Sequence, residues 1–221
     1  MPTLNTDYML NSLVPLFNRA VIVTIQLTLY GVLLSLIIGI IGNIIYYYKV
    51  PVLRQLTTAY TELSRNTPVL AQLFFLFFGL PALGIMLSGF TSGVIALSFL
   101  GGSYMIEALR SGIEAVSHSQ KETAVSLGLT KNQILRHILI PQAVRTAFPS
   151  LSANVIFLLR ESSLVGVIAV PELMNVANRQ IGMFFRTNEV LLMVTIYYLL
   201  LIAPLSVIFK AVERRIRVGR I

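Results

Sequence analysis

The sequence has no cysteine, and charged residues make up only 12% of its 221 residues. Without cysteine there is neither a disulfide framework nor a thiolate metal site, and the redox compartment stays undetermined. Soluble domains carry about 25% charged residues, so there is too little charge here to cover a water-soluble surface. The mean hydropathy of +0.80 therefore predicts a chain whose main solvent is lipid.

Several other features are also missing, and each absence excludes a function. No G-x-x-x-x-G-K-[ST] phosphate loop occurs, so this chain is not itself an ATPase. The net charge of +8 is spread between apolar runs, whereas nucleic-acid binding needs a basic face. An intramembrane enzyme needs a nucleophile with a base, or metal ligands, within its spans. His118 and His137 lie in a polar segment instead, so no catalytic or metal residue is predicted.

No basic region precedes an apolar core near the start, and we expect no cleaved signal peptide.

Long apolar stretches predict an all-α membrane protein with five spans, since a bilayer core of about 30 Å needs about 20 helical residues. The first stretch closes with Tyr46 and Lys49, which belong to an aromatic and basic interface anchor. The uncharged run 66–106 is long enough for two helices, the earlier one opened by Thr67 as cap and Pro68 as first residue. The predicted spans of this single domain (1–221) are residues 20–48, 67–87, 90–109, 148–170 and 190–209.

The distribution of Lys and Arg predicts the orientation, because these residues accumulate in cytoplasmic loops. With the N-terminus outside and the C-terminus inside, the cytoplasmic segments are 49–65, 110–145 and 210–220. These segments hold thirteen of the 17 basic residues. The opposite orientation would leave most basic residues on the wrong side.

The cytoplasmic loop 110–147 is too long for a tight connection and is rich in helix formers. Glu114–Leu127 is predicted as a helix whose apolar face is Ala115, Ala124 and Leu127, ended by Gly128 in the left-handed conformation. Thr130 and Gln133 form a capping box that opens a second helix. Such a helix pair either inserts into a groove on another protein or only caps the bundle, and the residues alone leave both alternatives open.

Several motifs together resemble the polar amino acid permeases of ABC importers, which have the type I fold. Glu122, Thr123, Ala124 and Gly128 resemble the E-A-A-x-x-x-G loop of that group. The longer strings are similar too: E-L-S-R-N-T-P-V-L-A-Q from Glu62, Y-x-x-E-x-x-R-x-G-I from Tyr104, I-P-Q-A-x-R from Ile140 and R-E-S-S-L-x-x-x-I-x-x-x-E-L from Arg160. The resemblance covers residues 24–221. Thr123 stands where the group usually has alanine, and Ser119 where glycine is common; both are small.

The resemblance implies a coupling helix that sits in a cleft of a separate ATPase subunit. The residues it assigns to this coupling are Gln120, Glu122, Thr123, Ala124, Gly128 and Leu129. It also implies a second permease subunit, an external or periplasmic solute-binding protein and a bacterial inner-membrane location. ATP and magnesium would be bound by the ATPase and no cofactor by this chain. A transporter with another energy source, or a membrane anchor for some other protein, is the rival interpretation.

Charged residues within the fourth predicted span mark the candidate substrate site, because ions inside a membrane are costly without partners. Arg160 and Glu161 point about 100° apart on a helix, so they do not face one spot. Either Glu161, with Ser162 and Ser163, lines a polar cavity for a zwitterion, or both ions lock helices together. The i,i+3 spacings Glu107–Arg110 and Glu62–Arg65 allow local ion pairs; for Glu107 we favour structural pairing.

Overall fold

The computed structural model describes residues 4–218, the last two by their backbone alone, and all regular structure within that range is helical. Arg220, which is counted in the predicted cytoplasmic C-terminus, lies outside the described residues. The helices, in chain order, are α1 (Thr6–Tyr48), α2 (Pro51–Asn66), α3 (Val69–Leu83), α4 (Gly89–Glu114), α5 (His118–Ser126), α6 (Lys131–Ile168), α7 (Leu173–Phe184) and α8 (Thr187–Val218).

Four of these helices, α1, α4, α6 and α8, are long and apolar enough to cross a membrane. Helices α2 and α3 pass the same test only together, and they are bent by 103° at the break between them. The described residues therefore supply four candidate spans, or five if the bent pair counts as one. Helices α4 and α6 both extend into the segment predicted as the loop 110–147, which leaves little of it without helical structure.

The stretch predicted as the second span, 67–87, is shorter than expected, since α3 covers about 22 Å at about 1.5 Å per residue. The prediction that Thr67 caps this helix is wrong: the cap position is Pro68, without a side-chain hydrogen bond. Proline forces the residue before it into extended backbone, and the Thr67 hydroxyl instead donates to the Leu63 carbonyl over 2.7 Å. The Gln72 amide bridges the break by donating to Ser64 O at 3.1 Å and Thr67 Oγ1 at 2.7 Å.

Small residues let α1 and α4 approach closely. A Cβ added to Gly39 would lie 2.7 Å from Met105 Cβ, and one added to Gly42 would lie 2.6 Å from Ile106 Cδ1. Beside them, the Asn43 amide donates to the Ile106 carbonyl over 3.0 Å. The two helices form a rigid core against which the broken helix and the polar loop are positioned.

Candidate functional site: an exposed elbow and two polar clusters

The elbow is formed by α5 and the first turn of α6, residues 118–134. The predicted single helix Glu114–Leu127 is interrupted, because α4 ends at Glu114 and α5 begins at His118. The residue between them that faces inward is Val116, which is buried. The chain therefore turns out of the long α4 before it enters the short α5.

The turn that ends α5 has the geometry expected for glycine. Gly128 has φ +75°, its amide donates to the Val125 carbonyl over 2.9 Å, and the Leu129 amide donates to the Ala124 carbonyl over 3.1 Å. These two bonds constitute a Schellman motif. The predicted capping box follows directly and is confirmed: Thr130 N donates to Gln133 Oε1 over 2.8 Å. Local chemistry thus fixes the shape of the elbow.

The side chains of the elbow divide into an anchor and an exposed tip. Ala124 is 2% exposed and packs with Val116, Ile134, Leu135 and Leu139 in one apolar cluster. The predicted apolar face is otherwise wrong, since Ala115 is exposed and Leu127 is 75% exposed. A helix of nine residues that touches the bundle on one side has too few positions to bury both sides, so the large apolar side chains at the tip remain uncovered by the described residues.

Of the residues assigned to coupling, Gln120, Glu122, Thr123 and Gly128 are exposed and Leu129 is partly buried. A cleft of about 320 Å³ runs beside them, lined among others by Gln120, Thr123 and Leu129. Nothing lies within 4 Å of a Cβ built on Gly128. The elbow is tied to the bundle from behind, where Tyr47 donates its hydroxyl to the Lys131 carbonyl over 3.0 Å. A displacement of the tip of the elbow would therefore be transmitted to the end of α1.

The four residues proposed for substrate binding do not converge on one spot. Arg160 is exposed and Glu161 is partly exposed; within residues 4–218 neither forms an ion pair or a side-chain hydrogen bond. Ser162 is fully buried, and its hydroxyl donates to the Leu159 carbonyl over 2.7 Å. Ser163 instead lies beside Tyr198 of α8. The alternative in which both ions lock helices of this chain together is not observed among these residues.

An ionic cluster joins α2 to α4. The sequence pattern predicts only one of its two ion pairs. Glu107 accepts from Arg110 at 3.0 Å, as the i,i+3 spacing predicts, and pairs with Arg65 of α2 at 3.5 Å. Arg65 therefore pairs across the fold, and the predicted local pair with Glu62 is not formed. The Arg65 guanidinium also lies 5.4 Å from the Tyr104 ring centroid. The Arg65 and Glu107 side chains are 42% and 35% exposed, so both are open to a ligand.

Glu172 forms a second polar cluster, beyond the end of α6, that the sequence analysis missed. It is fully buried and caps α7 by accepting from the Met174 amide at 2.8 Å and the Asn175 amide at 2.6 Å. Tyr198 of α8 donates to it over 3.4 Å. Burial raises the pKa of Glu172 to about 7, although these donors oppose the rise. The sequence signal for this cluster was a glutamate immediately before a segment with helical periodicity. Glutamate is an uncommon cap residue, and here it links α6, α7 and α8.

The fold is that of a helical protein with four or five candidate membrane spans, and comparison with known proteins identifies its family. Residues 31–218 match the family described as binding-protein-dependent transport system inner membrane component. The chain belongs to this family.

Individual relatives narrow the class further. A "probable glutamine ABC transporter permease protein" of Bacillus subtilis is 35% identical over 195 residues, which are 85% of this chain and 90% of the relative. A "probable amino-acid ABC transporter permease protein" of Vibrio harveyi is 35% identical, with 87% of each chain covered. The arginine transport system permease protein of B. subtilis is 30% identical over 92% of this chain and 94% of its own length. The resemblance to amino-acid permeases of ABC transporters is thus confirmed.

Solved structures agree with this assignment. A crystal structure of an amino acid ABC transporter with histidines superposes with a TM-score of 0.90 at 30% identity, covering 96% of this chain and 99% of that one. An inward-facing methionine ABC transporter superposes with a TM-score of 0.75 at 19% identity, over 92% and 97% of the two chains. The second likeness concerns the fold alone. The chain has the fold of these ABC permeases.

Proposed function

We propose that this chain is the membrane-spanning subunit of an importer for a polar amino acid, driven by ATP hydrolysis in a separate ATPase subunit. The observation that carries the proposal is the exposed elbow at residues 118–134. It is rigid, it is held by an apolar cluster, and it presents large apolar side chains to its surroundings. ATP and magnesium are bound by the partner ATPase, while this chain supplies the pathway.

The apolar tip of the elbow supports docking over the rival view of a helix that only caps the bundle. Val125 and Leu127 are 64% and 75% exposed, while the polar Gln120 and Thr123 flank the adjacent cleft. An apolar centre with a polar rim is the usual anatomy of a protein interface. A surface helix that only capped the bundle would turn these two side chains inward. We therefore infer that the elbow fits a groove on the ATPase, with the N-terminus of the chain outside and the C-terminus inside the bacterial inner membrane.

The unpaired ions Arg160 and Glu161 support a second permease subunit. An isolated charge within a membrane span costs about 2.5–3.5 kcal/mol on insertion scales, so these side chains need a polar partner or water. Only 17% of an apolar stretch of α8 is buried, which leaves much of its surface for lipid or another subunit. We infer that two permease subunits, identical or homologous, face each other around a pathway that these side chains border.

The class of substrate follows from the charges available to it and from the relatives. Glutamine and arginine permeases are among the proteins that this chain resembles. A zwitterion needs both a cationic and an anionic contact, and the part of the chain near the bend offers them in Arg65 and Glu107. Glu161 and Ser163 remain candidates further along α6. An external solute-binding protein delivers the substrate, and it contacts this chain at the segment 171–189.

The direct test is purification of the full chain in mild detergent, followed by reconstitution into vesicles. We expect a protein with a G-x-x-x-x-G-K-[ST] loop to copurify with it, and vesicles with the binding protein outside to take up a polar amino acid only when supplied with ATP. Uptake driven by an ion gradient without ATP would favour the rival class, a secondary transporter. Absence of any P-loop protein would contradict the proposal directly.

The role of Glu161 is tested by Glu161→Gln, which removes its charge and keeps its shape. If Glu161 contacts the amino group of the substrate, we expect the apparent KM for uptake to rise about tenfold to a hundredfold, since a hydrogen bond to a charged group contributes about 1.5–3 kcal/mol. ATP hydrolysis without substrate should be unchanged. The control is Glu114→Gln, an exposed carboxylate at the end of α4. Unchanged KM in the Glu161 variant would remove it from the substrate site.

A further inference from the structure

We propose that the cleft where α1 ends and α2 begins binds the phosphate headgroup of an anionic lipid. The cleft has a volume of about 600 Å³, and its polar lining is Lys49, Arg54, Gln55, Thr58 and Glu62. Nothing in the proposed transport function requires this site. It lies next to Tyr46 and its aromatic neighbours, the residues whose position predicts the membrane interface.

The charges of the cleft favour an anion at the end nearer to Lys49. Lys49 and Arg54 form no ion pair within residues 4–218, so both cations are available to a ligand. The Arg54 guanidinium is oriented by the Tyr46 ring, whose centroid lies 6.0 Å away. Glu62 is eight residues further along α2, about 12 Å at about 1.5 Å per residue, and does not cancel this charge.

The start of α2 adds free backbone amides as donors at the same end. Helix α2 begins with Pro51, and its cap residue Val50 makes no side-chain hydrogen bond to the first turn. The first amide of the turn with a backbone partner is that of Arg54, which donates to the Val50 carbonyl over 2.8 Å. The start of a helix carries a positive partial charge and free amides. Two side-chain cations and a helix start thus converge on one opening.

The apolar surface beside the opening identifies the anion as part of a lipid. Val52, Leu53 and Leu56 of α2 are 67%, 45% and 60% exposed. Free phosphate or an acidic peptide would gain nothing from these side chains, whereas the acyl chain of a lipid covers them. Basic pockets beside spanning helices on the cytoplasmic side are typical lipid headgroup sites. The leaflet follows from the orientation proposed above, but the headgroup chemistry does not depend on it.

Occupancy of the cleft would bear on the bent pair of helices. The other end of α2 is held to α4, where Tyr60 and Ser64 donate to the Phe99 carbonyl over 2.6 Å and 2.9 Å. A headgroup that bridges Lys49 and Arg54 would fix the first turn of α2 to the end of α1. Helix α2, the first of the two bent helices, would then be held at both ends.

A tryptophan reporter tests the proposal, because the chain has no tryptophan of its own. The full chain carrying Leu56→Trp is reconstituted in phosphatidylcholine vesicles with a fixed fraction of brominated phosphatidylglycerol or of brominated phosphatidylcholine. We expect stronger quenching by the brominated anionic lipid. Lys49→Gln with Arg54→Gln should reduce this preference at least about fivefold, the contribution of one basic residue near a membrane surface.

Two controls make the result specific. Leu199→Trp places a reporter on α8 at a residue that is 60% exposed, as Leu56 is, and should show no headgroup preference. Arg145→Gln removes an exposed cation elsewhere and should leave the Leu56→Trp preference intact. Equal quenching by both lipids, or a preference that survives the double substitution, would overturn the proposal. Displacement of the brominated lipid by inorganic phosphate would mean that the cleft binds free anions instead.

Discussion

Replacing Gly128 by leucine is expected to abolish ATP-dependent uptake while the protein still inserts and assembles in the membrane. Among the described residues, a Cβ at this position has no neighbour within 4 Å, so a large side chain points away from the elbow into whatever covers it. If that neighbour is the groove of the ATPase, the clash removes a central contact, which is typically worth about 2 kcal/mol or more. Docking and uptake should then fall at least about thirtyfold. Uptake is measured in vesicles that contain the complete transporter.

The matched control is Gly128→Ala, because both substitutions force a Cβ into the left-handed conformation at φ +75°. Both pay the same backbone strain, about 1–2 kcal/mol, but only leucine fills the space beyond the tip. We expect the alanine variant to keep a substantial part of the uptake. Equal loss in both variants would assign the effect to backbone strain, and full uptake in the leucine variant would refute docking through this elbow.

Local sequence chemistry accounts for the parts of the fold that were predicted well. The capping box of Thr130 and Gln133 and the turn at Gly128 depend on neighbouring residues only, so the sequence is sufficient to find them. The close approach of α1 to α4 at Gly39 and Gly42 has a local basis too, because small residues allow helices in a membrane to pack closely. The long uncharged runs also identify the main spans, although α4 and α6 continue beyond the runs because charged residues do not end a helix.

The features that sequence reasoning missed depend on contacts between distant segments. Arg65 pairs with Glu107 across two helices, and nothing in the i,i+3 spacing of Glu62 and Arg65 distinguishes this arrangement from a local pair. The bend after Asn66 lies at the start of an uncharged run, where hydropathy gives no signal. Glu172 caps α7 from a buried position, and burial cannot be read from a single residue type. These are also the features that place polar groups between helices.

Removing the carboxylate of Glu107 is the second change for which we expect a large effect. Glu107→Gln leaves Arg65 and Arg110 without the anion that both contact, at 3.5 Å and 3.0 Å. The two cations then repel each other at the junction of α2 and α4. A hydrogen bond to a charged group contributes about 1.5–3 kcal/mol, so we expect uptake to fall on the order of tenfold or more.

The design separates a substrate contact from a purely structural pair. If Glu107 only holds α2 to α4, Glu107→Gln should lower the thermal stability and the maximal rate together while the KM changes little. If the carboxylate also receives the amino group of the substrate, the KM should rise and ATP hydrolysis without substrate should persist. Glu114→Gln, two helical turns further along α4, serves as the control and should leave both quantities unchanged. Uptake at the parental rate and KM in the Glu107 variant would show that the pairs with Arg65 and Arg110 are dispensable. The bend of the broken helix would then be held without them, by hydrogen bonds that include those of Gln72, Ser64 and Tyr60.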